Sequence, residues 1–568
     1  MPRMTLNQTN FTAGEVSPRM LGRVDIARYQ NGAEIIENAW PVIHGGCVRR
    51  DGTLLCSPAK FPDKNCRLIP YVFNASQAYM VEFGDLYVRI HFANGSYSGI
   101  ELASPYAHTT LDRIDYVQGA DTMFIFCNTV PVYRLRRITN TEWSLAPAPF
   151  VTKPFDEKGI DFLTAITIDN PAVGTGRTVT ASESAFLASD VGREIWSGGG
   201  VAKVTAVTSA TVATVEVTNA FSATSRPTWS LKGSPQTSNT LSAFTPVGSV
   251  VTMTLATAGW RASDVGKFVK INGGLLEITV FTSTTVVSGV IRSAPTSATA
   301  SPANAWSLEA SVWNDIDGYP ALGGSPNFPQ TIWESRTGEY LNFELGTKDD
   351  DAISYNLSSD QINPILHIGQ INALIPLTYG GEFTVSGGVE KAITPTNIRA
   401  KNPSVYGCNR VRPVRIGNEL YFIQRAGRKL RAMAYKYDSD TFGSPDMSVL
   451  SEHATKSGII DMAYQQEPES ILFMVRADGV LATMTVDRDQ DVIGWARQIT
   501  DGAFESAASI PTDSGDQVWV VVRRNIGGAN VRYIERVTSG VRVDSGVNAT
   551  SVGGTTVWGG LAHLEGKM

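Results

Sequence analysis

The chain has 568 residues, 18% of them charged, and a formal net charge of −6. That length suits roughly two to four domains, and the charge content falls below the roughly 25% of an average soluble protein, which argues against a generally basic nucleic-acid binder. The opening MPRMTLNQTNF has no apolar stretch behind its Arg, and no run of about 18 apolar residues follows, so Sec export and membrane insertion are not expected.

Five cysteines (Cys47, Cys56, Cys66, Cys127, Cys408) match neither a CxxC zinc pattern nor a dense disulfide framework. They read as reduced, structural thiols of a protein made in a cytoplasm. The histidines, His44, His91, His108, His367, His453 and His563, form no HxxxH or HExxH pair. No zinc enzyme, metal or cofactor is expected.

With 52 Gly and 28 Pro separating short, alternating apolar segments rich in Val, Ile, Thr, Tyr and Phe, the chain reads as strands and turns. In chain order, residues 79–92 (YMVEFGDLYVRIHF) and 122–138 (TMFIFCNTVPVYRLRRI) are hairpins about a Gly-Asp turn and about Asn128. Between them and the next strong hairpins lies a Thr- and Ser-rich stretch in which ASDVGREI (188–195) returns as ASDVGKFV (262–269), and TSATV (208–212) as TSTTV (282–286), both offset by 74 residues. WSL also recurs, at Trp229 and Trp306. Two copies of one β module are therefore expected, about 160–232 and 233–309.

Further hairpins follow at 419–437 (ELYFIQRAGRKLRAMAYKY), 470–488 (SILFMVRADGVLATMTVDR) and 517–537 (QVWVVVRRNIGGANVRYIERV), with weaker candidates at 340–357 and 372–386. A nearly all-apolar first strand, a Gly, Asn or Asp turn and an alternating second strand, spaced by about 50 residues, are what propeller blades look like in sequence. The expected fold is all-β: a discontinuous β-propeller-like body of six or seven blades with an inserted pair of small repeated modules. In chain order it comprises an N-terminal assembly segment (1–60), a leading propeller portion (61–159), the modules (160–309), a trailing propeller portion (310–540) and a C-terminal segment (541–568). The competing architecture is a stack of unrelated β-sandwiches.

No constellation for chemistry stands out. SDVGREIW (Ser189 to Trp196) is similar to a sialidase Asp box, but its Asp comes one place early and its Trp one place late, so it reads as a turn. Asp349, Asp350 and Asp351 could ligate a hard cation but read as an exposed turn, since neighbouring strand residues point to opposite faces. NDIDGY (Asn314 to Tyr319) lacks the later ligands of a calcium loop. Basic clusters at Arg134, Arg136, Arg137, at Arg410, Arg412, Arg415, and at Arg425, Arg428, Lys429, Arg431 suit a subunit interface or a solvated face better than a grip on DNA.

The stretch from residue 11 to 53 carries a family likeness. Phe11, Gly14, Glu15, Ser17 and Pro18, then Leu21, Gly22, Arg23 and Asp25, Asn38, and finally Gly45, Gly46, Arg49, Arg50, Gly52 and Thr53 follow an ordered pattern. It resembles the start of the tail nozzle proteins of short-tailed bacteriophages (podoviruses), the tail tubular protein B type. A second stretch, residues 328–368, is similar to that family's Gln-x-x-x-x-Ser-x-x-Gly-x-Tyr-x-Asn-Phe region. The resemblance implies a non-enzymatic virion protein, a homo-hexamer below the portal and a tail adaptor ring, made in the host cytoplasm and forming the conduit through which double-stranded DNA leaves. Tail fibres or spikes are further implied partners. Phe11, Gly14, Glu15, Ser17, Pro18, Arg23, Asp25, Arg49, Arg50 and Asp51 are the expected assembly residues, setting an irregular path and register across neighbouring subunits. The DNA-facing lumen should be neutral to acidic, because each gripped phosphate would slow the passing genome, and the modules should form distal tube or lateral fin. The alternatives are a glycan-binding or glycan-degrading propeller, with Trp196, Trp260 and Trp313 as sugar platforms, and a trimeric receptor-binding tail protein.

Overall fold

A computed structural model describes residues 8–74, 76–127, 130–148, 155–156, 158–161, 164–197, 200–221, 223–226, 229–232, 238–241, 248–302, 306–311, 321–324, 329–343, 348–358, 363–387, 392–547 and 562–565. The chain divides into two compact units: Met1–Ala148 with Asn314–Glu334 and Gly346–Met568, and Pro149–Trp313 with Ser335–Leu345. Among the described residues no helix is long and apolar enough to cross a membrane.

The first unit is a β-propeller whose described strands make seven blade sheets, antiparallel within each blade, with two short parallel strands added to the edge of the sixth blade and a separate two-stranded sheet of Ala39–Pro41 and Cys47–Arg49. In chain order blades 1 to 7 begin at Arg67–Asn74, Asp115–Gly119, Ala321–Gly323, Ile365–Gln370, Val414–Ile416, Ile459–Gln465 and Ala503–Ile510. The apolar strand of each strong hairpin follows from this stacking, because a blade inside a ring is covered on both faces. In Ile471–Arg476, Leu472 and Met474 join the core between blades 5 and 6, whereas Ile471, Phe473 and Val475 join the core between blades 6 and 7. Val518, Val520 and Val522 likewise face blade 6, while Trp519 and Val521 face blade 1. The weak candidate at 340–357 differs from expectation. Its hairpin pairs Thr331–Glu334 with Ile353–Asn356, while residues 336–342 turn back on themselves (Arg336 N–H to the Asn342 carbonyl, 2.9 Å) with Tyr340 exposed.

The outermost strand of blade 7 comes from the other end of the chain. Thr53–Pro58 pairs antiparallel with Ala529–Val537, so the expected 1–60 segment itself supplies a propeller strand, and the boundary near residue 60 falls between that strand and blade 1. Behind the pairing, the Thr53 hydroxyl donates to Glu535 at 2.5 Å, and Glu535 pairs with Arg524 at 2.8 Å, both charges buried. Gly52 passes so close to the 538–546 stretch that a Cβ there would stand 2.0 Å from the Val543 carbonyl oxygen.

The second unit holds the repeat. Two eight-stranded sheets have the same strand order, one within residues 158–232 and one within 155–156 and 238–311. Each copy has a short 3-10 turn, Ala188–Asp190 or Ala262–Asp264, whose buried Asp accepts an N–H at 2.8 Å from Leu187 or Arg261. Asp190 also pairs with Arg193 at 2.9 Å and with Arg261 of the second copy, joining the copies. Core volume is conserved by exchange between strands. Where the first copy buries Val179 and Val215, the second has Met253 and Gly289, and a Cβ on Gly289 would stand 2.6 Å from the Glu277 carbonyl oxygen and 2.9 Å from the Met253 methyl.

Two outcomes are expected in unfolding experiments. Glu535→Ala strands a buried guanidinium and should cost about 3–5 kcal/mol in urea titrations. Gly289→Val should destabilise through overpacking by about 1–3 kcal/mol, and adding Met253→Val, which relieves the side-chain contact but leaves the Glu277 carbonyl in place, should recover only part of that loss in a double-mutant cycle.

Candidate functional site

Residues 8–50 lie along the outer edge of blade 6, each portion fixed by local chemistry. Phe11 N–H bonds the Gly45 carbonyl at 2.8 Å, bringing the two ends of the family-like stretch together. Gly14–Glu15 lies between Gly32–Ala33 and the blade, bridging in parallel to Trp495. Only glycine fits there, since φ is +66° and a Cβ would stand 2.1 Å from the Trp495 nitrogen. Ser17 donates its N–H to Leu450 at 2.7 Å, and its hydroxyl accepts from Arg19 at 3.3 Å, capping the turn that Pro18 opens.

Glu15 is the anchor of this segment and is wholly buried. Its carboxylate meets His453 at 2.7 Å and Arg497 at 2.8 Å and accepts the Ile36 N–H at 3.1 Å, while its own carbonyl accepts from Ser451 at 2.6 Å. Burial by itself would raise its pKa, but the bonds from His453, Arg497 and Ile36 hold it below the ordinary glutamate value.

Arg50 forms a forked pair with Asp544 at 2.7 and 2.6 Å and bonds Asn38 at 2.9 Å. Asp51 accepts from Gly540 N–H at 3.2 Å and faces Arg542 at 3.4 Å, and the exposed Arg49 reaches the Arg542 carbonyl at 3.3 Å. Glu15, Ser17 and Arg50 thus serve the fold of the single chain, clamping the segment that feeds the closing strand. Arg23 and Asp25 pair with each other at 2.7 Å on the surface. Around them Leu21 is 80% exposed, Val24 64% and Ile35 60%. Beside this ridge is a groove of about 320 Å³ lined by Val16, Pro18, Leu21, Val24, Tyr29 and Ala33, next to the edge strand Gly32–Ala33.

The other sequence candidates are placed as follows. Asp190 of the box-like SDVGREIW is a buried turn-former, and Asp351 accepts the Lys348 N–H at 2.9 Å within an exposed turn. Asn314 to Tyr319 and Trp313 lie outside the described residues. Trp260 is fully buried against Trp306, which removes it as a sugar platform, and Trp196 is half-buried, bonding Glu194 at 2.9 Å. Strand alternation divides the Arg134–Arg137 cluster: Arg134 and Arg136 share one face, and Arg137 turns to the other to stack on Phe73 at 4.1 Å. Arg431 stacks on Tyr406 at 3.3 Å and Lys429 pairs with Asp446 at 2.9 Å, leaving Arg425 and Arg428 exposed. Among the described residues no disulfide joins the cysteines, and no three His, Cys, Asp or Glu side chains gather as a metal site. Sequence reading missed the partners His453, Arg497 and Asp544, which lie more than 400 positions from the residues they hold.

Glu15→Gln should loosen the N-terminal segment by about 2 kcal/mol, seen as faster amide exchange over residues 11–41. Because the folded pKa of Glu15 lies below its unfolded value, its contribution is complete above about pH 5 and is lost as the pH falls through the folded value. In wild type the protection of these amides, corrected for the intrinsic exchange rate at each pH, should therefore fall in acid, and in the Gln variant that acid-dependent component should be absent.

No family model matches this chain, and no curated protein matches it. Among solved structures it is similar to the C-terminal WD40 domain of Sif2, at 8% identity over 86% of this chain and 99% of that one, with a TM-score of 0.33. It is also similar to auxiliary nutrient binding proteins from Bacteroides ovatus (7% identity, 52% of this chain and 85% of that one, TM-score 0.21) and Bacteroides thetaiotaomicron (10%, 52% and 84%, TM-score 0.20). Independently of these neighbours, the chain's own sheets make it an all-β protein, a discontinuous propeller body with an inserted pair of repeated β modules.

Proposed function

We propose that this chain is a structural subunit of a short-tailed bacteriophage virion, the tail nozzle, present as a hexamer below the adaptor ring and continuing the conduit for DNA ejection. It acts by position and assembly and performs no catalysis. The observation that supports this reading best is the ordered stretch from Phe11 to Thr53, whose likeness to the nozzle family extends over the segment that latches the propeller. That segment pairs a rigid base, held by Glu15 and Arg50, with an apolar ridge at Leu21 and Val24 flanking the Arg23–Asp25 pair. A fixed loop with large exposed apolar side chains is the surface expected of a subunit or adaptor contact. The charge balance of −6 fits a conduit, which must pass phosphates without gripping them.

The direct test is a cryo-electron microscopy reconstruction of the native particle, in which six copies around an open axis are expected; three copies at the periphery would overturn the reading. A second test uses Leu21→Glu together with Val24→Glu. The isolated chain should keep its circular dichroism spectrum and melting temperature, while incorporation into particles should fall at least about tenfold, the loss expected when a central apolar contact is replaced by charge. Undiminished incorporation would remove this ridge from the assembly surface.

A further inference from the structure

The inner strands of blades 2, 4 and 5 bring charged side chains to the propeller axis that the proposed nozzle role does not employ. Asp115, on the first strand of blade 2, lies 2.9 Å from the His367 ring of blade 4 and accepts a bond from Arg412, just before blade 5. Arg412 also donates to the Tyr116 carbonyl at 2.6 Å and lies 4.0 Å over the Tyr116 ring, so its plane is fixed from two sides. Nearby, Arg67 donates to the carbonyls of Leu111 and Ile114 at 2.9 and 2.6 Å and reaches Asp461 at 4.0 Å. Asp461 accepts in turn from the Ser506 hydroxyl at 2.7 Å and the Ala507 N–H at 3.1 Å.

Against this network opens a cavity of about 250 Å³ lined by Asp115, Tyr116, His367, Gln370, Arg412 and Arg415, among others. Negative charge is short there. Burial, with Arg67 and Arg410 close by, pushes His367 down to about 4, so it is neutral at pH 7, and burial also raises Asp461 above the usual aspartate value. Two carboxylates thus stand among the guanidinium groups of Arg67, Arg410, Arg412 and Arg415. Arg412 keeps a third of its side chain exposed, and Arg415 uses only its Nε, toward the Gly417 carbonyl at 3.0 Å. Among the described residues no carboxylate pairs with Arg415. Positive groups crowded in a partly desolvated cavity repel one another, and an added anion relieves that repulsion.

We propose that this cavity is a binding site for a small oxyanion, a carboxylate- or phosphate-bearing molecule about one sugar ring in size, held between Arg412 and Arg415 with Gln370 at the rim. The guanidinium fork suits a two-oxygen face, and the contacts of Asp115 and Tyr116 keep Arg412 oriented before the ligand arrives. The site is independent of the nozzle reading.

The test is calorimetric titration of the full-length protein with inorganic phosphate and, separately, with glucuronate at constant ionic strength, followed by melting curves. Saturable binding of at least one probe is expected, with a raised melting temperature. Phosphate alone would support a phosphate ligand, glucuronate alone a carboxylate ligand, and both together the shared oxyanion chemistry. Arg415→Ala, at an exposed position, should weaken binding by about tenfold or more, with its circular dichroism spectrum showing an intact fold; Arg415→Gln replaces it if the Ala variant does not fold. Failure of both probes to saturate, or full affinity in the Arg415 variant, would overturn the proposal.

Discussion

A ring of blades holds together only if its two ends are joined, and here the join is Thr53–Pro58 laid against Ala529–Val537. Without it blade 7 would present an unpaired edge, and its core with blade 1 would lose its outer strand. The chemistry at the join is correspondingly stringent: a buried Arg524–Glu535 pair at 2.8 Å, satisfied further by Thr53, and a glycine where the 538–546 stretch leaves no room for a Cβ. A buried ion pair adds little net stability over an apolar core, yet it tolerates only one partner arrangement, which suits a strand that must find its place across more than 470 residues.

That constraint gives the family-like N-terminal stretch a physical meaning. Gly14, Glu15, Ser17, Arg50 and Gly52 bind the leading segment to blades 6 and 7, so they are folding residues of this chain. The residues left facing outward, Leu21, Arg23, Val24 and Asp25, share a short loop on that fixed base. A motif of this kind unites closure with presentation.

The repeated modules show how one packing problem is solved twice. The turn built on Asp190 recurs at Asp264 with the same backbone bond, and the pair Val179 and Val215 becomes Met253 and Gly289 at the same places. Volume is preserved while individual residues drift, as expected when cores demand density rather than particular side chains. The same drift explains why the repeat was legible through its turn, ASDVG, more than through its strands.

Legibility followed the range of the interaction. Alternation, turn residues and a fixed offset are local, so the hairpins at 79–92, 470–488 and 517–537 and the 74-residue repeat could be read directly. Blade 3 was misplaced because its strands are only three or four residues long, too few for periodicity to register. The same residue type could also take opposite roles: Trp260 suits a sugar platform in sequence and is core in the fold. By itself the sequence determined the strand-rich class, most hairpins and the duplication, because these depend on residues near one another in the chain. Only the tertiary structure decided that residues 53–58 complete the last blade, that Glu15 lies beneath His453 and Arg497, and that Asp115 meets His367 and Arg412 at the axis. Those pairings join positions hundreds of residues apart, and the ring's closure, rather than any local pattern, brings them within bonding distance.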